Sequence, residues 1–510
     1  MPRSVARKVE TVHFAFLNPQ GNFDSGNSYL AAHPDFGGQL VYVREVARKL
    51  GEMGHSSDIL TRRIVDPEWP EFAEATDSYS GHPDIRILRL PCGPDHFLPK
   101  EELWPYLGEW VEGIARLYRG EGAWPDLWTG HYADGGLAAA WLEEASGVPF
   151  TFTGHSLGAW KLDTLVKDSG DPDILREVDA RYNFSARIEA ERTAVSRAKS
   201  IVTNSMAERY EQYDHPAYRD VAEPEGDGRF AVIAPGANFD IFSPDARSPW
   251  EDEVLEKIQA VHERDIAPDR QELPAVIAWS RLDPKKNHLG LVKAFAGSEE
   301  LRSRANLVMI TRGLEDPFHY PDEATDEQRP VIDELIARIE ESGLWGRVSA
   351  FSLSGQTALA ALYRWGADTG GVFCLPAEYE PFGMTVIEAM AVGLPVVATK
   401  NGGPRETTDE GQAGLLADPH DPDDIAANLL RLLDDRETWE TYAKRGRERA
   451  LEHYSWNRTA ECYLSLATKA PEKEQDEQPS LTLPGFVRGS DGLPRMERWE
   501  TAGGREEKRV

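Results

Sequence analysis

The sequence is short of cysteine, of positive charge and of long apolar runs, and each shortage narrows what the chain can be. Only Cys92, Cys374 and Cys462 occur in 510 residues. No two stand at metal-binding or redox spacing, which argues against a disulfide framework and fits a reducing compartment. Cys92 and Cys374 read instead as small buried hydrophobes. The first ten residues are charged and lack the apolar core of a signal peptide. No apolar run approaches the ~20 residues of a membrane span. A soluble, cytoplasmic chain with no membrane partner is expected. Lys and Arg number 56 against 87 Asp and Glu, a net charge of −31. Such a surface repels nucleic acid as well as anionic membranes. A phosphate would have to be met by a local basic pocket. Adaptation to a salty cytoplasm and an ordinary solvated face both fit this acidity.

What is present is length, apolar residues and alternation. At 510 residues with 40% hydrophobic side chains, the chain can bury two cores. A first strand at 11–17 (TVHFAFL) runs into a polar loop over 18–27 and a helix over 39–53, with Leu40, Val43, Ala47 and Leu50 at helical spacing. Strands follow at 57–61 and 85–90, before Gly130, at 148–153 and at 200–204, with one long charged helix over 179–198. A short strand at 230–238 leads into polar sequence. A second series then has strands at 275–279, 305–310, 347–351, 371–375 and 395–398. Helices are expected over 422–433, with Asp421 as cap and Pro422 at the first helical position, over 438–451 and over 456–469. Strands alternating with helices predict parallel α/β sheets. The expected division is 1–245 for a first Rossmann-like domain, 246–455 for a second, 456–469 for a helix returning to the first, and 470–510 for an acidic, polar tail without structure.

Three segments carry chemistry. In 380–388 (EPFGMTVIE) two carboxylates stand eight residues apart around a glycine at a loop-to-helix entry. Helix N-terminal amides there suit a diphosphate, with Glu388 placed for ribose hydroxyls and Glu380 for sugar hydroxyls. In 280–287 (SRLDPKKN), Arg281 and Lys286 follow a strand, at the end where open α/β sheets bind ligands. They would neutralise a diphosphate and support its departure. In 35–39 (DFGGQ), two glycines open the first long helix, where backbone can approach a ligand closely. The bland alternatives are a surface helix, a solvated turn and an ordinary turn. Trp104, Trp110, Trp124 and Trp128 read as packing rather than ligand stacking.

These segments, with FAFLNPQGNF (14–23), HPDFGGQLVYV (33–43), FLPKEELWPY (97–106), HYADGG (131–136), FTFTGHSLG (150–158) and NGGP (401–404), resemble the retaining GT-B glycosyltransferases of family 4 and, among them, the sucrose-phosphate synthases. The similarity runs from about Thr11 to Leu466. It implies two Rossmann-like, doubly wound α/β domains facing a central cleft. It also implies retaining glucosyl transfer from a nucleotide sugar (UDP-glucose or ADP-glucose) to fructose 6-phosphate. The related mannosylfructose-phosphate synthases look similar over the same segments, so GDP-mannose is an alternative donor. Free fructose and other small sugar phosphates or acids are alternative acceptors. Glu380, His155, Arg281 and Lys286 are the implied catalytic residues. The implied donor contacts are Gly38, Arg281, Lys286, Pro381, Phe382, Gly383, Met384, Thr385 and Glu388, with His155 at the hexose 6-hydroxyl. The implied acceptor contacts are Gly37, Gln39, Lys100, Tyr132, Ser156, Lys161, Arg181 and Arg187. The donor phosphate would take the acceptor proton on the same face, so no side-chain nucleophile and no metal is obligatory, with Mg2+ a stimulant only. A separate sucrose-phosphate phosphatase would act next. The chain departs from the family at 181–187 (RYNFSAR), where Asn183 and Ala186 stand in place of the usual Lys or Arg. One charge-assisted phosphate contact is worth about 1.5–3 kcal/mol.

A different class competes. Gly154-His155-Ser156-Leu157-Gly158 also matches the nucleophile elbow of α/β-hydrolases, with His319, His420 and His453 downstream. That reading, an esterase using Ser156, leaves the whole second α/β series unused. A non-catalytic sugar-binding protein is the third alternative.

Overall fold

The structure, a computed structural model, describes residues 11–20, 22–26, 28, 38–166, 172–311 and 313–468, with the backbone of 486–488 and 494–496. It divides into two units: Met1–Asn204 with Glu208–Ile233 and Thr459–Val510, and Ser205–Ala207 with Ala234–Arg458. The division falls at Ile233, ahead of the expected 245. Ala237 and Phe242 are buried in a core of the second unit, and Ala237 N donates to Tyr454 O. The last long helix, Trp456–Thr468, begins in the second unit and continues into the first.

The first unit is built on β1 (His13–Leu17), β2 (Ser56–Arg62), β3 (Thr76–Asp77), β4 (Ile85–Leu90), β5 (Leu127–His131), β6 (Phe150–Thr153), β7 (Ser200–Thr203) and β8 (Phe230–Val232). Their order is β3-β4-β2-β1-β5-β6-β7-β8, parallel except for the β3–β4 edge. Chain order reverses between β1 and β5, whose ends Leu17 and Gly130 are paired. A doubly wound sheet opens a crevice for ligand at that point, beyond the carboxyl ends of the strands. Trp104, Trp110 and Trp128 are buried in the core of this unit and Trp124 packs against it.

The second unit repeats the plan with β9 (Ala275–Trp279), β10 (Asn306–Thr311), β11 (Val348–Ser352), β12 (Val372–Leu375), β13 (Val396–Thr399) and β14 (Leu415–Ala417), in the order β11-β10-β9-β12-β13-β14. Its switch point lies between β9 and β12. Successive residues point to opposite faces, so Val276 and Ala278 enter one core while Ala275 and Ile277 enter the other. Both faces are covered, which is why these strands read as unbroken apolar runs.

Three details differ from the sequence reading. The helix expected over 179–198 is two helices, Pro172–Tyr182 and Phe184–Arg197. Asn183 breaks them with a φ of 51°, a left-handed conformation that Asn tolerates better than most residues. β3 and β14 are extra strands. In the tail, Phe486–Arg488 and Pro494–Met496 pair antiparallel; its other residues, expected without structure, lie outside the described residues. No helix among the described residues is long and apolar enough to cross a membrane.

Candidate active site

Each unit places its chemistry at the carboxyl end of its own sheet. In the second unit, the chain leaving β9 makes a tight basic turn. Asp283 caps it, its side chain accepting from Lys285 N at 3.0 Å, and Lys286 N donates to Asp283 O at 2.9 Å. Asn287 closes it at a φ of 54°. Its Nδ2 donates to Pro376 O and Pro419 O at 3.0 and 2.7 Å, and its Oδ1 accepts from Gly290 N. Glu378 N donates to Lys285 O, so the exits of β9 and β12 are tied together. Lys286 Nζ then meets Glu380 Oε2 at 2.7 Å, in a pair that is only partly buried. Arg281 is exposed and has no ion-pair partner among the described residues. It is an uncompensated cation at the crevice.

The helix Met384–Val392 starts beside this pair, entered through Gly383 at a φ of 93°. Its first amides have no intrahelical acceptor and carry the positive end of the helix dipole. Pro381, Met384 and Thr385 are half-buried, whereas the Phe382 ring packs in the core against Tyr454 at 5.9 Å. Glu388 is 5% exposed, one turn into the helix, and its charge reaches the Tyr363 hydroxyl. The Gly402–Gly403 pair explains the NGGP segment. A Cβ on Gly402 would lie 2.3 Å from Glu380 O, and one on Gly403 would lie 2.5 Å from Phe382 Cα. Gly402 also has a φ of 88°. Only glycines allow this backbone to lie flat on the loop that carries Glu380.

In the first unit, β5 ends at His131 and β6 leads to the turn 154–158. His131 Nδ1 and His155 Nε2 are 2.9 Å apart. His131 is fully buried and His155 half-buried. Desolvation lowers both, His155 to about 3, and the neighbouring ring lowers His131 further. Both are therefore neutral near pH 7, one donating to the other. Tyr42 sets its ring edge-on to His155 at 5.4 Å, and the Tyr42 hydroxyl donates to that of Tyr463 at 3.3 Å.

The implied acceptor residues fall into two groups. Tyr132, at a φ of 65°, lies under the Arg187 guanidinium, 4.2 Å from the ring centroid. Arg187 Nη2 donates to Ser156 O at 2.6 Å, and its Nε pairs with Glu191 Oε1 at 2.9 Å. The charge of Lys100 also reaches the Tyr132 hydroxyl. Lys100 pairs with Glu101 at 3.1 Å, and Asn183 Nδ2 donates to Glu101 O at 2.8 Å. Lys100, Tyr132, Ser156 and Arg187 thus gather with Asn183. Lys161 and Arg181 stand exposed on neighbouring helices, Arg181 over the Tyr182 ring. Gly38 and Gln39 open the helix Gly38–Glu52, and a Cβ at Gly38 would meet no atom of the described residues within 4 Å. Gly37 lies outside the described residues.

Sequence reasoning missed the polar groups beneath this surface. Asn18, directly after β1, is fully buried with neither amide atom bonded, and Asn22 Nδ2, Arg62 Nε and His131 Nε2 are likewise buried and unbonded. Asp134 accepts from Gln20 Nε2 and Gly135 N, and burial pushes its carboxyl up to about 7. Their position after β1, β2 and β5 was the available signal. The esterase reading fails on geometry. In an elbow the nucleophile takes the strained conformation; here His155 does, at a φ of 58°, and Ser156 Oγ contacts Arg187 rather than a histidine. Among the described residues no group of three or more His, Cys, Asp or Glu is placed to hold a metal ion.

Comparison with known proteins agrees with this plan. A family model described as a glycosyl transferase 4-like domain matches residues 37–219, and one described as glycosyl transferases group 1 matches 262–449. The chain is 39% identical over 455 residues to a probable sucrose-phosphate synthase of Thermosipho melanesiensis, covering 89% of this chain and 96% of that protein. It is 34% identical to sucrose-phosphate synthase 4 of Arabidopsis thaliana over 90% of its own length but 48% of the plant protein, so it spans about half of that relative. Among solved structures, a sucrose-phosphate synthase from Thermosynechococcus elongatus superposes with a TM-score of 0.65 at 26% identity, covering 89% of this chain and 98% of that one.

Proposed function

The chain belongs to the sucrose-phosphate synthase family of GT-B glycosyltransferases, and from that premise we propose that it transfers glucose, with retention, from a nucleotide-glucose to fructose 6-phosphate, giving sucrose 6-phosphate. The observation that carries the reading is the second unit's crevice, where the Lys286–Glu380 pair at 2.7 Å stands at the loops that leave β9 and β12, beside the first amides of Met384–Val392, with exposed Arg281 on the same β9 loop. Two cations and a helix N-terminus suit a diphosphate. A donor diphosphate would draw Lys286 from Glu380 and leave that carboxylate for the hexose hydroxyls. Charge building on the diphosphate as its bond to glucose C1 breaks is then stabilised by fixed groups. The departing phosphate oxygen takes the proton of the attacking acceptor hydroxyl. Neutral His155, able to donate or accept, offers a hydrogen bond to a sugar hydroxyl. UDP-glucose is the favoured donor and ADP-glucose the second. No metal is required, and a separate phosphatase consumes the product.

The test is a donor-by-acceptor activity matrix with product identification by NMR, repeated in chelator. Sucrose 6-phosphate from UDP- or ADP-glucose is expected. A product only from GDP-mannose, or only with free fructose, would replace the substrates while leaving the transferase. Glu380→Ala should lower turnover sharply and Ser156→Ala far less; ester cleavage lost with Ser156→Ala would overturn the class.

A further inference from the structure

The turn between β6 and the helix Gly158–Val166 carries His155 and Ser156, and it is not self-supporting. His155 holds a left-handed φ of 58° that a non-glycine residue keeps only when its surroundings over-determine it. The backbone N–H groups that follow go to side chains rather than to other backbone groups. Leu157 N donates to Gln212 Oε1 at 3.0 Å, Gly158 N to both oxygens of Glu191 at 3.0 and 2.9 Å, and Ala159 N to the Tyr218 hydroxyl at 3.1 Å. Glu191 is the hub. It also accepts from the Tyr218 hydroxyl and from Arg187 Nε, and Arg187 in turn grips Ser156 O. Glu191 is fully buried and Arg187 is 5% exposed. A carboxylate at the N-terminus of Gly158–Val166 is further favoured by the helix dipole. Space is equally tight, because a Cβ on Gly158 would lie 3.0 Å from Arg187 Cδ.

We propose that Glu191 is a positioning residue of the acceptor-side turn: it fixes the amide of Gly158 and aims Arg187 at Ser156 and Tyr132, and so sets the orientation of His155 and Ser156 without touching substrate. The assignment rests on the functional reading above. Removing the carboxylate would leave the buried guanidinium of Arg187 unpaired and free to swing away from the Tyr132 ring, and the turn would lose its strongest acceptor.

The test is Glu191→Gln, which preserves shape, with Tyr218→Phe as a milder companion. Two measurements are made on the full chain: steady-state constants for donor and acceptor separately, and hydrogen exchange of the amides at 157–159 without substrate. Glu191→Gln should lower kcat/KM for the acceptor at least tenfold and change the donor KM, through His155 on the same turn, by no more than about threefold. Exchange at 157–159 should rise at least tenfold, and Tyr218→Phe should shift both readouts the same way by a smaller factor. Unchanged exchange, or equal rises in both KM values as a general loss of stability would give, overturns the assignment. If Glu191→Gln does not fold, Tyr218→Phe decides alone by the same criteria. Failure of the wild-type enzyme to make sucrose 6-phosphate would remove the functional reading, and the exchange measurement would still decide the role of Glu191.

Discussion

Replacing Asp134 by Asn should stabilise the protein, and by more at pH 8 than at pH 5. Asp134 is the third residue of the helix Tyr132–Ser146 and is 3% exposed. Its Oδ1 accepts from Gln20 Nε2 at 3.2 Å and Gly135 N at 2.8 Å, yet burial outweighs both and pushes the carboxyl from 3.8 to about 7. The unfolded chain ionises Asp134 near 3.8, whereas the folded protein holds the proton to about 7. Between those values folding must take up a proton, so stability falls as pH rises through the window and stays low above it. At ~1.4 kcal/mol per pH unit, the handicap is about 2 kcal/mol at pH 5 and about 4 kcal/mol at pH 8. Asn keeps the shape and the accepting oxygen and cannot ionise. Its advantage should therefore grow by about 2 kcal/mol between the two pH values, or roughly 4–8 °C in Tm for a unit of this size. Thermal melts of both proteins at pH 5 and pH 8 check this. An equal Tm difference at both, or a variant less stable at pH 8, would refute the reasoning.

Arg281→Ala should raise the donor KM roughly 10- to 100-fold, the loss of one charge-assisted contact. Because Arg281 is exposed and unpaired among the described residues, its Tm should stay within about 2 °C of wild type; steady-state kinetics beside a thermal melt reads both. Gly402→Ala must fit a Cβ 2.3 Å from Glu380 O at a φ of 88°. Left-handed strain and overpacking together cost about 2–5 kcal/mol, so a Tm drop of roughly 5–15 °C is expected with a raised donor KM as the Glu380 loop shifts.

The two sheets were legible because parallel strands covered on both faces are largely apolar, and runs such as 275–279 and 305–310 are too short for a typical helix. What escaped were elements whose cause is not periodic. β14 is three residues long, and β3 has two. The break at Asn183 lies inside a stretch whose charge pattern is helical on both sides. Only the backbone shows that Asn183 turns left-handed and docks its amide on Glu101 O. The candidate site divides the same way. Arg281, Lys286, Glu380 and His155 could be named as candidates because they lie in the loops that follow strands, at the ligand end of a doubly wound sheet. Asp134 and Glu191 were not, because their roles rest on partners such as Gln20 and Gly158 that are distant in sequence, and Asn18 was not, because only the fold shows that its amide is buried.

The thinned basic patch shows what a count of charges hides. By count, Arg181 and Arg187 survive to meet the acceptor's phosphate. In the structure Arg187 is paired with buried Glu191 and lies on Tyr132, so its charge is already compensated. Lys100 is paired with Glu101. The local field available to a dianion is therefore weaker than the count suggests, in a chain whose net charge of −31 already opposes it. Asn183 works against that loss by a different route. Its amide fastens the Glu101 carbonyl to the start of the helix Phe184–Arg197, and the turn carrying Lys100 is held in place by the residue that replaces a cation. A contact made by a pre-positioned group loses less side-chain entropy on binding, about 0.5–1.5 kcal/mol for each rotamer-rich side chain already fixed. That is comparable to much of what one charge-assisted phosphate contact is worth, so a held turn around Lys100 would offset part of the charge that the family resemblance leads one to expect at 183 and 186.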